Sequence, residues 1–157
     1  KVEKPKIDYN IKSKLCTDYY SLENDLNWIT PSHLCSKYVS DMVNLGGNQY
    51  GMKTAILIGD SKFGALIHNM EIEVGYAYFE PNWFYPLHSH KTEELYYILQ
   101  GTAEFGKETN NKIEYVKVNP GDIIYHTSYQ PHTMKFNNDF ILSIYIWYRK
   151  GKYYFVK

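Results

Sequence analysis

From about residue 52 to its end the chain is a series of short apolar runs rich in Ile, Val, Tyr and Phe, and this constrains the fold more than any other feature. The runs are separated by turn signals such as GDSKFG, EPNW, GKETNN, NPGD and NND. The pattern predicts strands over 53–58, 64–68, 71–79, 94–99, 102–106, 113–118, 123–126, 132–136 and 140–148. No helical period interrupts them, so the pairing is expected to be mainly antiparallel. So many short strands would leave open edges in a flat sheet, and closure into a β-barrel or two-sheet jelly roll removes those edges.

Residues 1–50 lack this alternation. The stretch TPSHLCSKYVSDMVNLGG reads as a helix, with Thr30 as N-cap, Pro31 in the first turn and Gly46 and Gly47 as the stop. Its Leu34, Tyr38, Val39, Met42 and Val43 form one apolar stripe suited to packing. A shorter helix is expected around SLENDLNWI, capped by Ser21. The chain therefore divides into a helical N-terminal segment, 1–50, packed on a barrel domain, 51–157, and 157 residues suit one domain with one core.

Charge narrows the partners. Lys and Arg total 17, as do Asp and Glu, and no basic run is dense enough to neutralise a phosphate backbone or an anionic bilayer. Nucleic acid and membrane are not expected partners, and no apolar run approaches the ~20 residues of a spanning helix. Cys16 and Cys35 form no Cys-x-x-Cys pattern and are too few for a disulfide scaffold, so a reducing, cytoplasmic setting is expected, although the chain begins at Lys1 without a methionine.

Two stretches carry chemistry. In YPLHSHKTEELYYILQG, residues 85–101, side chains two apart on a strand share a face, so His88, His90, Glu94 and Tyr96 point one way and Leu95, Tyr97 and Leu99 the other. Two imidazoles and a carboxylate inside a small barrel are costly to bury unless a divalent cation takes their lone pairs. The bland alternative makes the even face the wet one. In NPGDIIYHTSYQPHTM, residues 119–134, Pro131 fixes the backbone ahead of His132 and can aim its imidazole, completing a set of three histidines and one glutamate with room for substrate or water. His126 competes for that place; it is otherwise a second-shell partner or a structural neighbour. His33 and His68 fall on expected scaffold elements. With 17 tyrosines in the chain, a tyrosine needs an argument from position before it is given a role.

Together these stretches resemble the cupin superfamily. Its first motif, His-x-His, three or four residues, Glu, six residues, Gly, is matched by His88, His90, Glu94 and Gly101. In the second, Pro-x-Gly-x-x-His, Thr127 and Tyr129 replace the proline and glycine and only His132 survives; Asn82 stands where cupins carry a glycine ahead of the first histidine. The runs FYPLHSHKTEELYYILQGTAEF, PGDIIYHTSYQPHTM and LSIYIWYRKG are similar to the cupin-type dimethylsulfoniopropionate (DMSP) lyases of marine bacteria, the DddQ-like enzymes, over about residues 70–151.

That resemblance implies a single cupin barrel. It implies one divalent transition metal ion (Zn, Fe, Mn, Co or Ni) on His88, His90, Glu94 and His132, with Tyr96 as general base. Tyr85, Tyr129 and Trp147 then line a pocket for a small zwitterionic sulfonium substrate. The implied reaction is a β-elimination giving dimethyl sulfide and acrylate. A phenol with a pKa near ~10 must be acidified by a nearby positive charge to serve as base. Cupins commonly pair, which makes a homodimer an expectation. The same metal set suits a mononuclear iron cupin such as a thiol dioxygenase, or a cupin that only binds a small ligand.

Overall fold

In the computed structural model, residues 2–7, 12–14, 19–21, 23–30, 43–44, 51–148 and 153–155 are described. A seven-stranded sheet contains β3 (Trp28–Ile29), β4 (Met52–Gly59), β6 (Ile72–Phe79), β8 (Glu93–Gln100), β11 (Ile123–His126) and β13 (Ile141–Tyr148) in the order β11-β8-β13-β6-β4-β3. Its seventh strand, β5 (Ile67–His68), pairs with β4 in parallel. A five-stranded sheet runs β10 (Lys112–Val118), β9 (Ala103–Thr109), β12 (His132–Lys135), β7 (Phe84–His90), β14 (Tyr153–Phe155). The other described pairings are antiparallel, including a small ladder of β1 (Lys12–Lys14) with β2 (Tyr19–Ser21).

The two sheets close over a shared interior. Phe79, Ile98 and Tyr145 from the larger sheet meet Phe105 and Met134 from the smaller one. At one end Phe79, Trp83 and Phe136 stack, with Phe79 and Phe136 centroids 4.9 Å apart and planes 12° from parallel. Strand β6 is buried on both faces: Ala77 and Phe79 join the interior, while Tyr76 and Tyr78 face outward under Leu26 and Trp28. This two-sided burial explains why GYAYF reads as a continuous apolar run instead of an alternating one.

The barrel is therefore as expected, with differences in its elements: β7 and β14 lie outside the predicted strands, and the described residues of the segment 1–50, expected to be helical, form the short strands β1, β2 and β3 besides helical Val43 and Asn44. Strand β7 is absent from the predicted set because Pro86 and the polar HSH run break the apolar pattern. The short helix expected around SLENDLNWI is not formed. A single turn over 23–25, tied by Ser21 Oγ accepting from the Asn24 N–H (3.3 Å), gives way to β3. Leu26 and Trp28 instead bury their side chains against Ala55, Tyr76 and Leu142. Most of the helix expected over 30–47 lies outside the described residues, as do His33, Cys16 and Cys35; Val43 and Asn44 are helical.

Candidate active site

Next to the aromatic stack, across Tyr85, the barrel interior turns polar. On β8 the burial alternates with Glu94, Tyr96 and Ile98 inward, and Tyr97 is 40% exposed, so the even face is the interior one. On β7 a register shift places His88 opposite His132 and Tyr85 opposite Met134, so β7 spends one extra residue between those pairs. This bulge at Pro86-Leu87 lets Tyr85 and His88, which differ in parity, both turn inward.

Four imidazoles and one carboxylate converge there, all buried. The ring centroids of His88 and His132 are 4.2 Å apart, those of His90 and His132 4.9 Å and those of His88 and His90 5.7 Å. Glu94 Oε2 is 3.7 Å from His90 Nε2, and Oε1 is 3.7 Å from His132 Nε2. Each of three histidines donates its Nδ1–H to a carbonyl two residues away: His88 to Pro86 (2.8 Å), His90 to Thr92 (2.5 Å) and His132 to Gln130 (2.7 Å). The Nε2 lone pairs are thereby left to face the cluster.

The electrostatics follow from burial. Desolvation lowers the pKa of His88 and His132 well below the usual imidazole value, and that of His90 less far, so these rings are neutral near pH 7. Burial pushes Glu94 up to about 8, against the opposing hydrogen bonds from Tyr96 and Trp147. His132 Nε2 and Glu94 Oε1 are buried with no hydrogen-bond partner, a loss of several kcal/mol for a polar core left to itself. Neutral imidazoles with pre-aimed Nε2 atoms and a carboxylate oxygen free of hydrogen bonds fit a divalent cation.

Two overlapping triads have donor atoms within 4.8 Å of one another: His88, His90 and His132, and Glu94, His126 and His132. His126 lies flat on His132, centroids 3.8 Å apart and planes 12° from parallel. An imidazole binds an ion close to its own ring plane, which disfavours two nearly parallel stacked rings holding the same ion. His132 has its Nδ1 anchored, and His126 backs its ring face. Burial, and then the repulsion from His90 were both rings to be protonated, lowers His126 to about 3, so it too is neutral.

Tyr96 is buried, its ring set edge-on to Phe79 (5.9 Å) and Phe105 (5.9 Å) and reaching His126 at 6.3 Å, at the border between aromatic core and polar cluster. Tyr85 packs its ring on His88 at 4.2 Å. Trp147 is half-buried, and its indole N–H donates to Glu94 Oε2. Tyr129 is exposed on the turn before β12, where its backbone N–H donates to the His90 carbonyl (2.7 Å). His68 lies apart, exposed, accepting at Nδ1 from Ser61. Sequence reasoning overlooked Glu73, buried on β6 and accepting from the Tyr145 hydroxyl at 3.0 Å. Its parity with Ala77 and Phe79 was the available signal, since a carboxylate on the inward face of a strand is rare.

A two-sheet barrel with histidines and a glutamate gathered inside one end is a cupin. Within that class the chain belongs to the DMSP lyase family, whose model matches residues 5–142. It is 33% identical over 71 residues to the DMSP lyase DddQ of Ruegeria pomeroyi, a match covering 45% of this chain and 34% of that protein. The crystal structure of that DddQ superposes with a TM-score of 0.63 at 22% identity, covering 83% of this chain and 61% of the other. The polyketide cyclase RemF of Streptomyces resistomycificus shares the fold with a TM-score of 0.56 at 20% identity, over 68% of this chain and 72% of its own. The chain thus spans less than two thirds of the length of the DddQ protein it matches. Among the described residues no helix is long and apolar enough to cross a membrane.

Proposed function

We propose that the protein is a metal-dependent carbon–sulfur lyase that converts dimethylsulfoniopropionate to dimethyl sulfide and acrylate. The observation that carries this is the convergence of His88, His90, Glu94 and His132 in one buried cluster, with Tyr96 on the same inward face of β8 as Glu94. Family membership supplies the substrate class. A divalent transition metal ion held by these four side chains would bind the substrate carboxylate and stabilise the negative charge that develops beside it.

Tyr96 is the base. Its phenolate oxygen takes the proton on the carbon next to the carboxylate, and that C–H electron pair becomes the new C=C bond. The C–S bond breaks with its electrons leaving on sulfur, so a sulfonium departs as a neutral thioether and acrylate remains. Tyr85 and Trp147 flank the cluster and present ring faces to the sulfonium, a cation–π contact of roughly 0.5–2 kcal/mol each. Tyr129 stands at the mouth. The stacked Phe79, Trp83 and Phe136 fill the interior behind Tyr85 and Tyr96 and keep water from the reacting carbon.

Headspace gas chromatography of metal-loaded protein with dimethylsulfoniopropionate under nitrogen tests the reading. Dimethyl sulfide is expected without oxygen, which sets an elimination apart from thiol dioxygenation; well-folded, metal-replete protein that yields none sinks the proposal. Tyr96→Phe is expected to retain metal and lose at least ~100-fold in turnover.

A further inference from the structure

Glu94 offers two oxygens, and distance alone does not choose between them: each lies 3.7 Å from a histidine Nε2. What separates them is hydrogen bonding. Oε2 accepts from the Trp147 indole N–H, whereas Oε1 has no hydrogen-bond partner. An indole N–H is a donor only and cannot itself become a ligand. We propose that Trp147 is a positioning residue which holds Glu94 Oε2 away from the ion, so that Glu94 binds through Oε1 alone and one coordination position stays open for an incoming carboxylate. This rests on the metal-binding reading above and deepens it.

The backbone sets the arrangement. Trp147 on β13 is directly opposite Glu94 on β8, so the two side chains share one row of the sheet. On the other side of the same row Trp147 is opposite Glu73 on β6. Tyr145, two residues earlier, sets its ring edge-on to Trp147 at 5.6 Å and is itself tied to Glu73 through its hydroxyl. The indole is thus braced along its own strand by a ring that is itself held in place. A carboxylate that chelated through both oxygens would add a fifth donor to three imidazoles and occupy the place a substrate carboxylate needs.

The test uses the full chain loaded with cobalt(II), whose visible absorption weakens as coordination number rises, and acetate as a carboxylate probe. Trp147→Phe is expected to lower the cobalt absorbance several-fold and to weaken acetate binding, read from its spectral perturbation, at least ten-fold. Placing 3-benzothienylalanine at position 147, which keeps the bicyclic shape and lacks the N–H, is expected to do the same. Wild-type spectra and wild-type acetate affinity in either folded variant overturn the proposal. Unaltered protein that takes up no cobalt overturns the metal reading itself, while loss of dimethyl sulfide production alone bears only on the proposed reaction.

Discussion

Tyr129 and Asn82 both adopt left-handed backbone conformations, with φ of +62 and +56. By the cupin resemblance these are two positions where a glycine is replaced, so the backbone has kept a conformation that the residues no longer advertise. Asparagine tolerates it; a tyrosine is strained by ~1 kcal/mol or more. Tyr129→Gly is therefore expected to raise stability by about 0.5–1 kcal/mol in denaturant unfolding, and to raise KM for the proposed sulfonium substrate. Glu94 gives a second expectation at this scale. With its pKa raised to about 8 in the absence of metal, it holds a proton at pH 7 that a bound cation must displace, while the histidines are already neutral. Calorimetric titration of metal in buffers of different ionisation enthalpy should show close to one proton released at pH 7, and almost none well above pH 8. Release of two or more protons would mean that the histidines also bind protons.

Strand by strand, the sequence revealed most where one face is wet. On β8 the alternation of Glu94, Tyr96 and Ile98 against Leu95, Tyr97 and Leu99 is visible in the residues, and the structure keeps that parity. On β7 the same rule cannot reach Tyr85, because the bulge after it changes which parity is inward, and a bulge is set by the partner strand as much as by its own residues. Trp147 shows a different limit: its place opposite Glu94 depends on the pairing of β13 with β8, a long-range register that residue spacing within either strand does not contain. Gly101, by contrast, was legible as a motif glycine and has a local reason. It leaves β8 at φ +86, and a Cβ there would collide with the Phe140 carbonyl oxygen. Gly101→Ala is expected to cost about 1–3 kcal/mol, read as a Tm lower by roughly 2–12 °C.

For the whole molecule, the polar cluster is a liability until it is filled. Without metal, the histidines have folded pKa values below the ordinary 6.5, so their contribution to stability is present above pH 6.5 and is lost as pH falls. Glu94 works in the opposite direction: its contribution is complete below its ordinary 4.5 and is lost as pH rises through about 8. Metal-free protein should therefore be most stable near pH 6.5, with a steeper loss on the acid side, where four groups titrate against one. Thermal unfolding across pH 5–9 checks this, and metal should remove the alkaline loss; a metal-free profile that is flat across this range would count against burial of the cluster. The anchoring of the rings carries a different lesson. Each of the three is oriented by a carbonyl two residues distant in its own chain segment, Pro86, Thr92 or Gln130. Ring direction is thus encoded in two short peptides, 85–96 and 130–133, which makes the cluster portable: grafted onto another barrel with the same pairing of His88 with His132, those residues would bring their own aim with them.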